Sequence, residues 1–243
     1  MGTLVLVRHG QAGFLEAEYD ILSERGARQI RALGRYWASR GRRVDRASVG
    51  PLVRQRRSWE SFVEGFVEAG GQPFSATPER GLEEYQALEM MRLAVPMLAG
   101  VDPVVTETTE GIAAGGTDAE LGHHKERLFQ HLSRRWVRRE FELPGVTPFA
   151  TFRRDVEAAL SRAVAGLARG ETAVVFTSGG VVAAAVGHAL RLDDEQTLEL
   201  SWIVKNAAFT ELSVHPDDHE RRRLSTFNAV PHLDHDPGLL TLR

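Results

Sequence analysis

An arginine, a histidine and a glycine stand together near the start of the sequence, as Arg8-His9-Gly10. The three residue types suit a phosphoryl group, because arginine can bind its oxygens in a bidentate manner, glycine permits a close backbone approach, and histidine can attack phosphorus. By itself the triplet fits a solvated arginine beside a histidine at the edge of the core equally well. The surrounding segments are therefore needed to separate the two interpretations.

The triplet follows directly after an apolar, β-branched run at residues 3–7, which is typical of a strand covered on both faces. A second such run, Ala173 to Phe176, is followed by Thr177-Ser178-Gly179-Gly180 and then by an alanine- and valine-rich helix over residues 181–190. A strand, a glycine-containing turn and a helix in succession form an α/β crossover unit, which places ligand sites at the carboxyl ends of strands. Both polar turns are predicted to lie at such ends.

Two helices are predicted between these strands. The first begins at the N-cap Ser23 and stops at Gly41, and the second begins near Pro51 and ends at Gly70-Gly71. The alternation of residues 209–214 and 223–227 predicts two shorter strands near the end of the chain.

Arg54 falls in the first turn of the second predicted helix, where the helix dipole and the free backbone amides favour an anion. An exposed helix arginine is the other interpretation, and the neighbouring Arg56 and Arg57 fit that one better. We therefore treat Arg54 as a candidate phosphate ligand.

The stretch from residue 86 to residue 145 is the least regular part of the sequence. It contains an amphipathic segment (MMRLAVPML), a glycine-rich passage at residues 110–122 and an arginine-rich helix candidate at residues 125–141. We interpret it as a cap inserted into a single domain that covers residues 1–243. The predicted fold is a three-layer α/β/α sandwich with a mostly parallel central sheet and this helical cap.

Three segments, in this order, resemble the motifs of the histidine phosphatase, or phosphoglycerate-mutase-like, superfamily. An Arg-His-Gly motif with a following polar residue and alanine is matched at residues 8–12, a Leu-Ser-x-x-Gly-x-x-Gln helix entry at residues 22–29, and a Ser-Pro-Leu-x-Arg motif at residues 50–54. The last has Gly50 in place of the serine. The end of the chain is similar too, with Asn206 opening a strand and Asn228 followed by His232-Leu233.

The resemblance implies a role for each motif residue. His9 would be the nucleophile that takes the phosphoryl group, and Glu84, in the segment Leu82-Glu83-Glu84, would be the acid that protonates the leaving oxygen. Glu83 remains a rival for that role, and a glutamate pair of this kind is more often a solvated helix start than a catalytic acid. The phosphoryl oxygens would be bound by Arg8, Gly10, Gln11, Arg54, Ser178 and Gly179.

One position departs from the family pattern. The superfamily has a Ser-His-Gly-Gly turn after its later strand, and here Ser178 stands where that histidine would be. A serine brings no positive charge and a shorter reach, and losing one preorganised donor typically costs ~10²–10³ in rate. His188 lies about 12 Å of helix rise away, too far to substitute. His123 and His124 of the cap could reach the site, although a surface role fits them better.

Composition excludes several other classes of function. The chain has 243 residues and no cysteine, so disulfides and thiolate chemistry are excluded, and its net charge of −3 argues against general attraction to nucleic acid. The histidine and aspartate residues of the tail lack the spacing of a metal site, and the turn at Ser178 lacks the first glycine of a serine-hydrolase elbow. No cofactor, metal, nucleic acid or membrane is expected.

The function that the sequence favours is a phosphomonoester hydrolase with a phosphohistidine intermediate at His9. The expected partner is a small phosphorylated substrate or inorganic phosphate. The expected location is the cytoplasm. Two alternatives stay open: a catalytically impaired phosphate-binding or interaction protein of the same fold, and a phosphoglycerate-mutase-type phosphotransferase. The first follows from Ser178; the second is disfavoured because residues 86–145 do not match mutase-type segments.

Overall fold

A computed structural model of the protein describes residues 1–13, 20–215, 218–219 and 221–242. The chain forms two compact units. The sheet unit comprises Met1–Glu84 and Arg153–Arg243, and the helical unit comprises Tyr85–Phe152. In the described part of the chain, no helix combines the length and the apolar character needed to cross a membrane.

The sheet unit is built on six strands in the order β3-β2-β4-β1-β5-β6. The pairings among β1, β2, β3 and β4 are parallel, whereas β5 and β6 are added antiparallel at one edge. This confirms the predicted α/β fold with a mostly parallel sheet. The strands are β1 (Gly2–Arg8), β2 (Arg46–Val49), β3 (Thr77–Pro78), β4 (Thr172–Thr177), β5 (Phe209–Val214) and β6 (Arg222–Ala229).

Helices cover both faces of this sheet. On one face α1 (Glu24–Ser39) and α2 (Val53–Glu68) bury Trp37 and Phe62 against Phe176 of β4. On the other face α7 (Gly179–Leu190) packs against β1 and β6. The unit is completed by α8 (Asp194–Ile203) and by α6 (Phe149–Val164), whose first four residues belong to the helical unit.

The sequence predictions are confirmed for four elements of the sheet unit, two strands and two helices. Strands β1 and β4 arise from the two apolar runs, and Ser23 is the N-cap of α1, where its hydroxyl accepts a hydrogen bond from the Gly26 N–H. Helix α7 begins at Gly179, two residues earlier than predicted. Strand β2 was not predicted, because four residues that begin with an arginine give too short an apolar pattern.

The helical unit is more regular than its sequence indicated. It contains α3 (Ala87–Leu98), α4 (Pro103–Ala114) and α5 (Asp118–Val137), and its aromatic core includes Tyr85, Trp136 and Phe149. The glycine-rich passage at residues 110–122 contains the end of α4 and the start of α5. The break is confined to Gly115 and Gly116, both at positive φ, and the Thr117 cap.

Candidate active site

The pairing of β1 with β4 brings the two polar turns together. Val7 lies opposite Phe176 and Arg8 opposite Thr177, and the His9 N–H donates to the Thr177 carbonyl at 2.8 Å. Because the two strands are parallel, His9 and Ser178 leave the sheet at the same edge. The structure thus places the first and second polar turns side by side, as the strand pattern predicts.

His9 is buried, with 7% of its surface exposed, and its imidazole has one contact at each nitrogen. Nδ1 lies 2.7 Å from the carbonyl oxygen of Gly10, and Nε2 lies 3.2 Å from Nε of Arg54. A carbonyl can only accept a hydrogen bond and a guanidinium can only donate one. The two contacts therefore fix the tautomer: Nδ1 carries the proton, and Nε2 presents its lone pair to Arg54.

The surroundings of His9 also keep the ring neutral. Burial lowers the pKa of His9 well below its ordinary value of 6.5, and the nearby positive charges of Arg54 and Arg8 lower it further. The hydrogen bond to the Gly10 carbonyl acts in the opposite direction and is outweighed. A neutral imidazole with an unprotonated Nε2 is the form that can act as a nucleophile.

Arg54 is the second residue of α2 and only 2% exposed. Besides its contact with His9, its guanidinium donates to the Asp20 carboxylate at 3.0 Å. The same carboxylate accepts from the backbone N–H groups of Val53 (2.8 Å) and Arg54 (3.3 Å), the first two residues of the helix. Three donors that suit an anion therefore converge on Asp20. Sequence reasoning missed Asp20, because nothing local links it to a helix that starts 33 residues later.

Arg8 is directed at the main chain near the carboxyl-terminal segment. Its NH1 group donates to the carbonyl oxygens of Val204 and Leu242, the latter at 2.9 Å. The guanidinium also lies against Gly179, where an added β-carbon would be 3.6 Å from Nε. The structure therefore brings Arg8 to the start of α7, as well as within electrostatic range of His9.

The backbone of Gly10 packs closely against another part of the protein, so the missing side chain does not leave open space. A β-carbon at Gly10 would lie 2.2 Å from the carbonyl oxygen of Gly26, so the residue is needed to pack the turn against α1. Its N–H donates to Ser58 Oγ at 3.1 Å. The neighbouring Gln11 N–H donates to Gln29 Oε1 at 2.8 Å, which ties the same turn to α1. These contacts hold the backbone on which His9 is mounted.

Ser178 is completely buried and is hydrogen-bonded to a residue that sequence reasoning did not single out. Gln55 Nε2 donates to Ser178 Oγ at 2.9 Å and to the Leu82 carbonyl at 3.0 Å. Gln55 Oε1 accepts from the Leu52 N–H at 3.1 Å. The side-chain amide is thereby fixed in one orientation, with Ser178 as one of its acceptors.

Gln55 also accounts for the glycine that departs from the Ser-Pro-Leu-x-Arg motif. A β-carbon at Gly50 would lie 2.1 Å from Gln55 Oε1, closer than any real contact. The two departures from the family motifs, at Gly50 and Ser178, therefore surround the same buried amide. That both positions adjoin Gln55 becomes visible only in the three-dimensional structure.

The two candidate acids have different surroundings. Glu84 is half-buried, and its Oε2 accepts from the Gly180 N–H at 3.0 Å, in the first turn of α7. Glu83 is exposed. Neither residue belongs to a helix start, since both follow a short 3₁₀ turn at Arg80–Leu82 and α3 begins only at Ala87. The placement of Glu84 beside the Ser178 turn supports it over Glu83.

The other histidines raised by the sequence lie elsewhere. His188 is in the last turn of α7, with Nδ1 3.6 Å from a carboxylate oxygen of Glu157. His123 and His124 are neighbours on α5 in the helical unit, and His123 is exposed. Within the described residues no group of three histidine, aspartate or glutamate side chains is arranged to hold a metal ion; Asp217 of the tail lies outside them.

Comparisons with known proteins identify a family. The model of the histidine phosphatase superfamily (branch 1) matches residues 85–228, more than half of the chain. This match includes Ser178 and begins just after Glu84, so the motifs around His9 and Arg54 are additional to it. No curated protein matches the sequence.

Several solved structures are similar in fold. A mycobacterial glucosyl-3-phosphoglycerate phosphatase has 20% identity over 94% of this chain and 99% of that one, with a TM-score of 0.61. A mutant phosphoserine phosphatase from Entamoeba histolytica, solved with phosphoserine, has 16% identity over 96% and 100% (TM-score 0.61). YhfR from Bacillus stearothermophilus has 15% identity over 96% and 100% (TM-score 0.62). The TM-scores and the coverage show a shared fold, and at these identities they show the fold alone.

The tautomer and charge of His9 can be measured by long-range ¹H–¹⁵N NMR on the free protein. We expect the neutral Nδ1–H form from pH ~8 down to pH ~5, the range in which imidazoles ordinarily titrate, because the pKa of His9 is lowered by burial and by two arginines. The signals are assigned by their loss in His9→Asn. A ring that carries a proton on Nε2 in this range would contradict the geometry.

Proposed function

Because this chain belongs to branch 1 of the histidine phosphatase superfamily, we propose that it is a phosphomonoester hydrolase in which His9 accepts the phosphoryl group. The observation that carries the proposal is the buried, neutral His9 whose Nε2 lone pair points at Arg54. An arginine placed at the nucleophilic nitrogen is placed equally well to bind the oxygens of a phosphoryl group that arrives there.

The phosphate would be bound mainly at the start of α2. The guanidinium of Arg54 and the N–H groups of Val53 and Arg54 now meet the Asp20 carboxylate, and a phosphate dianion would compete for the same donors. Arg8, Gln11 and Gly179 are proposed as further contacts. For Gly10 and Ser178 we propose a smaller part in phosphate binding, because the Gly10 N–H already donates to Ser58 and the Ser178 hydroxyl already accepts from Gln55.

In the first half of the reaction, Arg54 Nε transfers its hydrogen bond from Nε2 of His9 to a phosphoryl oxygen. The freed Nε2 lone pair attacks phosphorus as the bond between phosphorus and the leaving oxygen breaks. Glu84 donates its proton to that oxygen, and the positive charge on the phosphorylated ring is stabilised by the hydrogen bond from Nδ1–H to the Gly10 carbonyl. In the second half, water attacks phosphorus and gives a proton to Glu84. The electron pair of the P–N bond returns to Nε2, which restores both groups.

A second candidate function is favoured by the contacts of Ser178. The hydroxyl is fully buried and held by a neutral amide, so position 178 supplies no positive charge to a transition state. A protein with this arrangement would bind a phosphate group through Arg54 and hydrolyse phosphomonoesters slowly or not at all. The mutase-type alternative has no comparable observation in its favour.

Turnover of an aryl phosphate separates the two functions. For a phosphatase we expect His9→Ala to reduce release of the aryl alcohol to the background rate between pH ~5 and ~8, while His188→Ala, at an exposed helix end, remains as active as the parent. If the parent shows no release that depends on His9, the hydrolase proposal fails. Calorimetric titration with inorganic phosphate then tests the binding function, with Arg54→Gln expected to abolish the signal.

The Gln55 environment generates a second prediction. We expect Ser178→His alone to give no gain, because an imidazole needs the room that the Gln55 amide fills, whereas Gln55→Ala combined with Ser178→His raises kcat by at least ~10-fold by adding a cationic donor. Gln55→Ala alone is the matched control. A well-folded double variant that is less active than the parent would show that Ser178 has a different part in the mechanism.

A further inference from the structure

The helical unit contains a cleft of its own, formed along one side of α5. Its volume is about 640 Å³, in the size range of small-molecule sites. The residues that line it recur at intervals of three and four, so they share one face of the helix: His123, Arg127, His131, Arg134 and Arg138. The opposite face buries Leu132 and Trp136 in the core. We call this feature the α5 cleft.

The α5 cleft is rich in guanidinium groups. Four arginines line it, namely Arg127, Arg134, Arg135 and Arg138, together with the carboxylates of Glu126 and Glu140. Arg134 and Arg138 lie one turn apart on the helix, where like charges repel, and Glu140 offsets part of this charge through its contacts with Arg135 at 2.7 Å and Arg138 at 3.8 Å. Since the guanidinium fork matches phosphate oxygens, a phosphate-bearing ligand suits the lining.

A buried carboxylate beneath the cleft holds two of the lining side chains in place. Asp102 is the N-cap of α4, where it accepts from the Val104 and Val105 N–H groups, and it also contacts Nε2 of His131 at 2.7 Å and the Arg135 guanidinium. Burial raises the pKa of Asp102, but the hydrogen bonds from His131 and from the backbone lower it to about 2. The carboxylate therefore stays ionised and orients both side chains, as supporting residues do in preorganised sites.

Another arginine of the cleft, Arg127, is held by a contact that a ligand can replace. Arg127 binds the Glu107 carboxylate with both of its terminal nitrogens, at 2.7 and 2.9 Å, and both side chains are largely exposed. Ion pairs exposed to solvent contribute little to stability, so exchange of Glu107 for a phosphate costs little. The distance along the helix from Arg127 to Arg138 is about 16 Å, more than one phosphate group can bridge.

We propose that the α5 cleft binds a small polyanion that carries two or more phosphate groups. The inference is independent of the proposed hydrolase, because the cleft shares no residue with the site around His9. The shared chemistry is the phosphate chain, which could belong to inorganic polyphosphate or to a nucleotide.

The test is calorimetric titration of the full chain, in the His9→Ala background, with inorganic tripolyphosphate, ATP and inorganic monophosphate. We expect tripolyphosphate to bind more tightly than monophosphate, and Arg134→Gln combined with Arg138→Gln to weaken it at least ~10-fold. The matched control is Arg92→Gln, which removes an exposed arginine of the same unit that is paired with Glu89. Tighter binding of ATP than of tripolyphosphate would identify a nucleotide ligand.

A second variant covers the case in which the double variant does not fold. His123→Glu adds a negative charge at the exposed end of the cleft without removing an arginine, and it should weaken tripolyphosphate binding several-fold. The proposal is overturned if tripolyphosphate does not bind the His9→Ala protein. It is also overturned if Arg92→Gln weakens binding as much as the cleft variants do, since that would show nonspecific charge attraction only.

Discussion

The site depends on one interaction, the hydrogen bond from Arg54 Nε to His9 Nε2, which joins two buried side chains. It orients the nucleophilic nitrogen, and the arginine's charge helps to keep that nitrogen unprotonated. The contact forms because β1 ends at the residue before His9, and α2 begins beside His9 with Arg54 in its first turn. The close packing of Gly10 on Gly26 of α1 fixes the turn that follows β1.

The same geometry explains how a serine is accommodated at position 178. Gln55, adjacent to Arg54 on α2, hydrogen-bonds Ser178 and fills the space where Gly50 would carry a side chain. An isolated change from histidine to serine would leave a cavity or an unpaired hydroxyl in the core, and either is costly. With the amide in place, Ser178 Oγ and the Leu82 carbonyl each have a hydrogen-bond donor. We therefore regard Gly50, Gln55 and Ser178 as one structural adaptation.

Much of this framework could be predicted from the sequence, and the missing parts have physical causes. Strands β1 and β4 were predictable because buried parallel strands are continuously apolar, and α1 because Ser23 marks its start. The role of Gln55 was not, because a glutamine among arginines at a helix start has the pattern of an exposed residue. Asp20 and Asp102 act through contacts with residues about thirty positions away, and local patterns carry no information about such pairs.

Chemical trapping of the intermediate tests the central claim, that His9 is the nucleophile. The protein is mixed with an aryl phosphate labelled on phosphorus, quenched in alkaline denaturant within a single turnover, and digested so that the labelled peptide can be identified. The account predicts an alkali-stable, acid-labile label on Nε2 of His9 that is absent in His9→Ala. An acid-stable label on Ser178, or turnover without any phosphorylated enzyme, would contradict it.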